Sequence, residues 1–300
     1  MGTPDFAVAS LDALVAAGLA PVAVVTVPDK PAGRGQTVRA SAVKDAAERH
    51  GLALLQPASM RDPAFAGALR ALEPDVFAVV AFRILPPEVF DIPRLGAFNL
   101  HGSLLPAYRG AAPIHRALMD GVEETGVTTF FLQRTVDTGA VILQRRLVVG
   151  PDDTTGDVHD RLAEIGAEAV VETVRQIAAG TAEARPQDDT LASPAPKIFR
   201  EDAEIDWHRP AQQVHNVIRA LSPFPGAWTT WRGETLKVLR ARPVATAPGA
   251  PGTVAVDDGR LVVACEGGGV EVLEVQRQGK RRMAAADFLN GTDPDGDVLG

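Results

Sequence analysis

The sequence predicts an α/β fold: a mostly parallel, helix-covered sheet over the first two-thirds of 300 residues, then a small β-barrel. Three observations carry this. Continuous apolar runs of strand length recur at residues 21–27, 75–82, 96–101 and 127–132, as in strands buried on both faces. Helical patterns lie between them. Beyond a polar stretch, short β-rich runs follow one another, separated by Gly, Asp and Pro.

The elements follow in order. Residues 6–17 carry apolar side chains at helical spacing, with Pro4 at the start and Gly18 just past the end. Residues 41–49, 62–72 and 111–120 are further helices. The helix over 154–179 is long, opens TTGD and stops before Gly180. Residues 181–206 are polar, contain Pro, lack a sustained period and read as a linker. The expected organisation is one domain over 1–180, the linker, and a second domain over 207–300. In the latter a helix at 211–220 precedes strands at 227–231, 235–241, 252–256, 261–265 and 270–275. The start is unusual. A βα sheet normally opens on a strand, often a central one, whereas this chain opens MGTPDF, already turning into a helix.

Net charge is −8, which excludes coating of nucleic acid by bulk charge. Residues 207–291 nevertheless hold 11 Lys/Arg against 7 Asp/Glu, so a local polyanion contact is open to them. One cysteine, Cys265, excludes an intrachain disulfide and a multi-cysteine zinc site. Its isolation points to a reducing cytoplasm. No apolar run reaches the roughly 18–20 residues of a membrane span, and no signal-peptide pattern is visible. The six histidines show no metal-ligand spacing, so no metal is expected.

Residues 98–113, FNLHGSLLPAYRGAAP, are the richest in chemistry. Asn99 and His101 stand two apart at the end of an apolar strand, so alternation puts them on one face. Open α/β sheets bind ligands at the carboxyl ends of their strands. An amide and an imidazole aimed together can hold a developing oxyanion, and the imidazole can move a proton. Asn-x-His alone equally describes a hydrogen-bonded histidine closing a strand. The neighbours favour chemistry: Gly102, Ser103, Leu104, Leu105 and Pro106 supply small and apolar groups suited to a flat ligand. Asp137 opens an Asp-Thr-Gly triplet. It is a plain turn or a carboxylate that tunes the imidazole or accepts a proton through water. An aspartic-protease reading needs a second such triplet, and there is none. Residues 28–39, PDKPAGRGQTVR, read as a long loop whose Lys30, Arg34 and Arg39 suit solvent or nucleic-acid phosphates. Lys280, Arg281 and Arg282 are the densest basic cluster of the β-rich part.

Together these segments resemble the methionyl-tRNA formyltransferase family. The matching runs are GTPDFAV (2–8), PDKPAGRG (28–35), RLGAFNLHGSLLPAYRGAAPIHRAL (94–118), ETGVTTF (124–130), VDTGAVI (136–142), APKIFREDAEIDW (195–207) and IRALSPFPGAW (218–228). The resemblance implies a Rossmann-like N-terminal domain binding 10-formyltetrahydrofolate and an OB-like C-terminal barrel helping to hold initiator methionyl-tRNA. It implies catalytic roles for Asn99, His101 and Asp137, and folate contacts from Ser103, Leu104, Leu105 and Pro106. Arg34 matches a basic loop near the tRNA acceptor end; Lys30, Arg39, Lys280, Arg281 and Arg282 join it as RNA contacts on charge. The expected protein is a cytoplasmic monomer. Two departures from the family form are visible. Its members carry a short apolar strand before GTPDF, and here Met1 sits where that strand ends, so the sequence is expected to begin at an internal methionine codon. VAFRILP (80–86) is one residue shorter than the usual form of that loop.

Three other readings compete with this one. A folate-dependent formyltransferase acting on a sugar-nucleotide or ribonucleotide amine would use the same trio but need no basic C-terminal domain. A non-catalytic RNA-binding relative would not need the trio. A nicotinamide dehydrogenase lacks its G-x-G-x-x-G after a strand.

Overall fold

The computed structural model describes residues 1–32 and 37–300. The chain forms two compact units: Met1–Pro113 with Thr125–Leu147 and His159–Ala195, and Ile114–Glu124 with Val148–Val158 and Pro196–Gly300.

The first unit opens with α1 (Asp5–Ala16), which buries Phe6, Ala7, Ser10, Leu11 and Leu14 on one stripe. Gly18, at φ +73°, ends it and donates to Val15 O. The next strand, β1 (Val24–Val25), runs parallel to β4 (Leu54–Leu55). Between them lie β2 (Lys30–Ala32), β3 (Thr37–Arg39) and α2 (Ala42–Arg49). The pairing of β2 with β3 is antiparallel and corrects the expectation of an unbroken loop; Thr37 and Val38 are β-formers. Ser41 caps α2 by accepting from Lys44 N, and Asp62 caps α3 (Pro63–Ala71) by accepting from Ala64 N. Then come β5 (Phe77–Val80), α4 (Pro87–Phe90), β6 (Ala97–His101), β7 (Glu124–Phe131), β8 (Val141–Val148) and, from His159 on, α6 (Thr155–Ala179), while α5 (Pro113–Met119) falls in the second unit from Ile114. The sheet order is β5-β6-β7-β8. Strands β5 and β6 are parallel, β6 and β7 antiparallel. Helix α6 buries Leu162 and Val170 completely, and its buried Thr173 hydroxyl pairs with that of Thr129 at 2.8 Å.

Met1 and Gly2 occupy a strand position between β1 and β5. The Met1 amine donates to Ala78 O at 2.7 Å, Val80 N donates to Met1 O, and Gly2 N donates to Val25 O. Among the described residues, no named strand pairs with those edges of β1 and β5. A cavity of about 270 Å³ fills the gap, lined by Leu11, Leu14, Val24, Phe77 and Val170 among others. Desolvation pushes the pKa of the Met1 amine down from 8.0 to about 5. None of the candidate site residues lines this cavity.

The second unit contains α7 (Ala211–Ala220), β9 (Ala227–Trp231), β10 (Glu234–Val244), β11 (Val254–Asp257), β12 (Arg260–Cys265), β13 (Gly268–Arg277), β14 (Arg282–Ala284) and α8 (Ala285–Asn290). The strands form one antiparallel sheet in the order β11-β12-β13-β10-β9, with β14 on β13. Its core includes Trp207, Ile218, Leu221, Val263 and Val275. The expected barrel does not close among the described residues, because the two end strands are not paired. The chain terminus meets both edges instead: Leu299 N donates to Gly252 O beside β11, and Gly300 N to Thr230 O of β9. Covered edges are protected from further pairing without barrel closure. Among the described residues no helix is long and apolar enough to cross a membrane.

Candidate active site

Alternation along β6 buries Phe98 and Leu100 on one face and leaves Asn99 and His101 to the other. His101 is 7% exposed and meets Phe130 edge-on, with ring centroids 6.5 Å apart. Its Nε2 lies 2.8 Å from Tyr108 O. A carbonyl only accepts, so Nε2 carries a proton, and in the neutral ring the lone pair lies on Nδ1. Nδ1 faces Asp137 Oδ2 at 3.9 Å, beyond hydrogen-bond range but close enough for the carboxylate to stabilise the ring once it is protonated. One water can bond to both atoms.

Asp137 lies in the turn after β7 at φ +56°, a left-handed conformation that Asp tolerates better than most residues. Its Oδ2 accepts from Gly110 N at 2.9 Å. Gly139, two residues on, has no room for a Cβ, which would lie 1.7 Å from Phe131 O. The half-buried Asn99 amide has no side-chain hydrogen-bond partner among the described residues, so its donors are available to a bound oxygen.

The segment after β6 divides in two. Ser103 is fully buried, and its hydroxyl donates to Ala107 O at 2.6 Å. Leu105 is buried too. Its N donates to Thr128 Oγ1, and its O accepts from Gln144 Nε2. The Thr128 hydroxyl donates in turn to Ser103 O. Leu104 and Pro106 are only half-buried, so they are the members of this segment with surface left for a ligand. Of the basic candidates, Arg39, Lys280, Arg281 and Arg282 are exposed. Arg282 Nε lies 3.5 Å from Glu274 Oε1. Arg34 lies outside the described residues, and Lys30 is described in its backbone alone. Sequence reasoning missed Gln187, which donates to Asp137 O and Gly139 O. A lone amide in an aperiodic polar stretch carries no signal.

The formyl transferase family model matches residues 1–174, and the formyl transferase C-terminal domain model matches 197–293. The methionyl-tRNA formyltransferase of Chlorobium phaeovibrioides is 49% identical over 306 residues, covering 100% of this chain and 96% of that protein. That of Moorella thermoacetica is also 49% identical, covering 100% and 98%. An N-formyltransferase from Helicobacter canadensis, solved with folinic acid and dTDP-3-aminofucose, superposes with a TM-score of 0.69 at 20% identity, over 92% of this chain and 97% of that one; at that identity the likeness concerns the fold. Matched across both units and along its full length, the chain belongs to the methionyl-tRNA formyltransferase family.

Proposed function

We propose that this chain transfers the formyl group of 10-formyltetrahydrofolate to the free amine of methionine esterified to initiator tRNA, acting in the cytoplasm as a monomer. The methionyl nitrogen attacks the formyl carbon, and the carbonyl oxygen becomes an oxyanion. The Asn99 amide donates to that oxygen; one well-placed donor is worth about 3–4 kcal/mol in the transition state. His101 has spent its Nε2–H on Tyr108 O, so Nδ1 is the atom that accepts the proton leaving the amine. The Asp137 carboxylate, 3.9 Å away, opposes the positive charge the ring then carries and passes protons through a shared water. Collapse of the intermediate breaks the bond to N10 of the folate, and the proton ends on N10. Leu104 and Pro106 offer apolar surface to the flat heterocycle.

The observation that carries the reading is Asp137 beside the open nitrogen of His101, on the strand whose Asn99 amide is unpartnered. On the RNA side, Lys280, Arg281, Arg282 and Arg39 contribute exposed positive charge, with Lys30 and Arg34 proposed beside them from sequence. The test is formyl transfer from 10-formyltetrahydrofolate to charged initiator tRNA, with uncharged tRNA and a sugar-nucleotide amine as controls. Formylation of the charged tRNA alone is expected. Preferential formylation of the sugar amine would overturn the proposal.

A further inference from the structure

We propose that Gln187, clamped by Arg109, is a positioning residue that holds the Asp137 turn against His101; this rests on the function proposed above. Gln187 is the one residue between 183 and 190 that is not exposed. Its side chain is fully employed. Nε2 donates to Asp137 O at 3.0 Å and to Gly139 O at 2.8 Å, the carbonyls on either side of Thr138. Oε1 accepts from Arg109 Nε at 3.1 Å and Nη2 at 2.7 Å, and the same Nη2 reaches Asp189 Oδ1 at 2.7 Å.

Arg109 stands between the two backbone groups that matter. Tyr108 O takes the His101 Nε2–H, and Gly110 N holds Asp137 Oδ2. One amide therefore ties together the carbonyl behind the imidazole and the carboxylate in front of Nδ1. The backbone of the same strap repeats the pattern. Arg185 and Val141 exchange hydrogen bonds at 2.8 Å just past the turn. Arg109 N donates to Ser193 O, and Ala195 N donates to Arg109 O. A left-handed Asp137 persists only where its surroundings enforce it, and the Gln187 amide is the side chain that grips both flanking carbonyls.

Glutamate at this position keeps the size and the acceptor for Arg109 but, ionised, removes both donors. Wild type, Gln187→Glu and Gln187→Ala are compared as full chains. The expected loss in kcat is about 10- to 100-fold in both variants, as for a displaced reacting group, with KM for folate and tRNA nearly unchanged. The pH profile of kcat should move, and amide exchange should quicken at residues 138–141 while the second unit is unaffected. A purely structural role would lower the melting temperature and the folded fraction but leave kcat per folded molecule and its pH profile as in wild type; that result overturns the proposal. So does wild-type turnover in Gln187→Glu. If the wild-type chain transfers no formyl group, the functional reading fails and exchange decides the clamp by itself. Unchanged protection of the turn in Gln187→Glu then refutes the clamp, and lost protection supports it.

Discussion

His101 is held by groups that the linear sequence keeps apart: the Tyr108 carbonyl one loop away, and the Asp137 carboxylate beyond another strand. The shared face of Asn99 and His101 was legible, because period-two alternation follows from backbone geometry alone. The approach of Asp137 to Nδ1 was expected from the family resemblance but not from spacing, since it depends on β7 returning antiparallel to β6 and no spacing encodes that. Nor was the inward turn of Ser103 and Leu105, which Thr128 and Gln144 impose from neighbouring strands. His101→Ala should cut turnover by about 10²- to 10⁴-fold, the usual worth of a positioned proton-transfer group, with little change in melting temperature; single-turnover kinetics beside thermal denaturation will check both. Asp137→Asn keeps an oxygen for Gly110 N but removes the charge facing His101. Turnover should fall and its pH profile should shift. An unchanged profile would take Asp137 out of the proton path.

At the scale of elements, β6 is a deeply buried strand that ends on His101, and that was readable from GAFNLH. The segment 181–206 is the contrary case. It has no period, so it reads as linker, yet Gln187, Ser193 and Ala195 bond to the loops around His101 and Asp137, and Arg185 pairs with Val141 at the start of β8. Long-range hydrogen bonding leaves no periodic trace in a polar stretch. The barrel expectation failed for a related reason. Alternating runs identify strands but not which edges close, and here the C-terminal residues meet both edges. The turn between β7 and β8 is the tightest element near the site. Gly139→Ala would drive a Cβ to 1.7 Å from Phe131 O. It should cost about 1–3 kcal/mol, as overpacking does, and lower turnover per folded molecule as the Asp137 turn shifts. Chemical denaturation alongside kinetics measures both.

For the whole molecule, the region between β1 and β5 ties stability to pH. An apolar cavity and a buried amine lie side by side there. In a chain that starts at Met1, the unfolded state holds between pH 5 and 8 an amine proton that the folded state does not, so stability rises with pH across that window, by on the order of 4 kcal/mol. Extending the chain at Met1 by about five strand-forming apolar residues, a usual strand length, turns the amine into a peptide N–H and supplies side chains to the cavity. The melting temperature should rise above that of an equally long Gly/Ser extension, and both extensions should lose this pH dependence. Equal melting temperatures would show that the cavity does not take a strand. The proposed function rests elsewhere, on the amide and imidazole of β6. The most direct test is the rate of formyl transfer to charged initiator tRNA by wild type and Asn99→Ala at saturating 10-formyltetrahydrofolate. A folded Asn99→Ala slowed by about 10²-fold or more is the expected result for a lost oxyanion donor. A folded variant with wild-type turnover would contradict it.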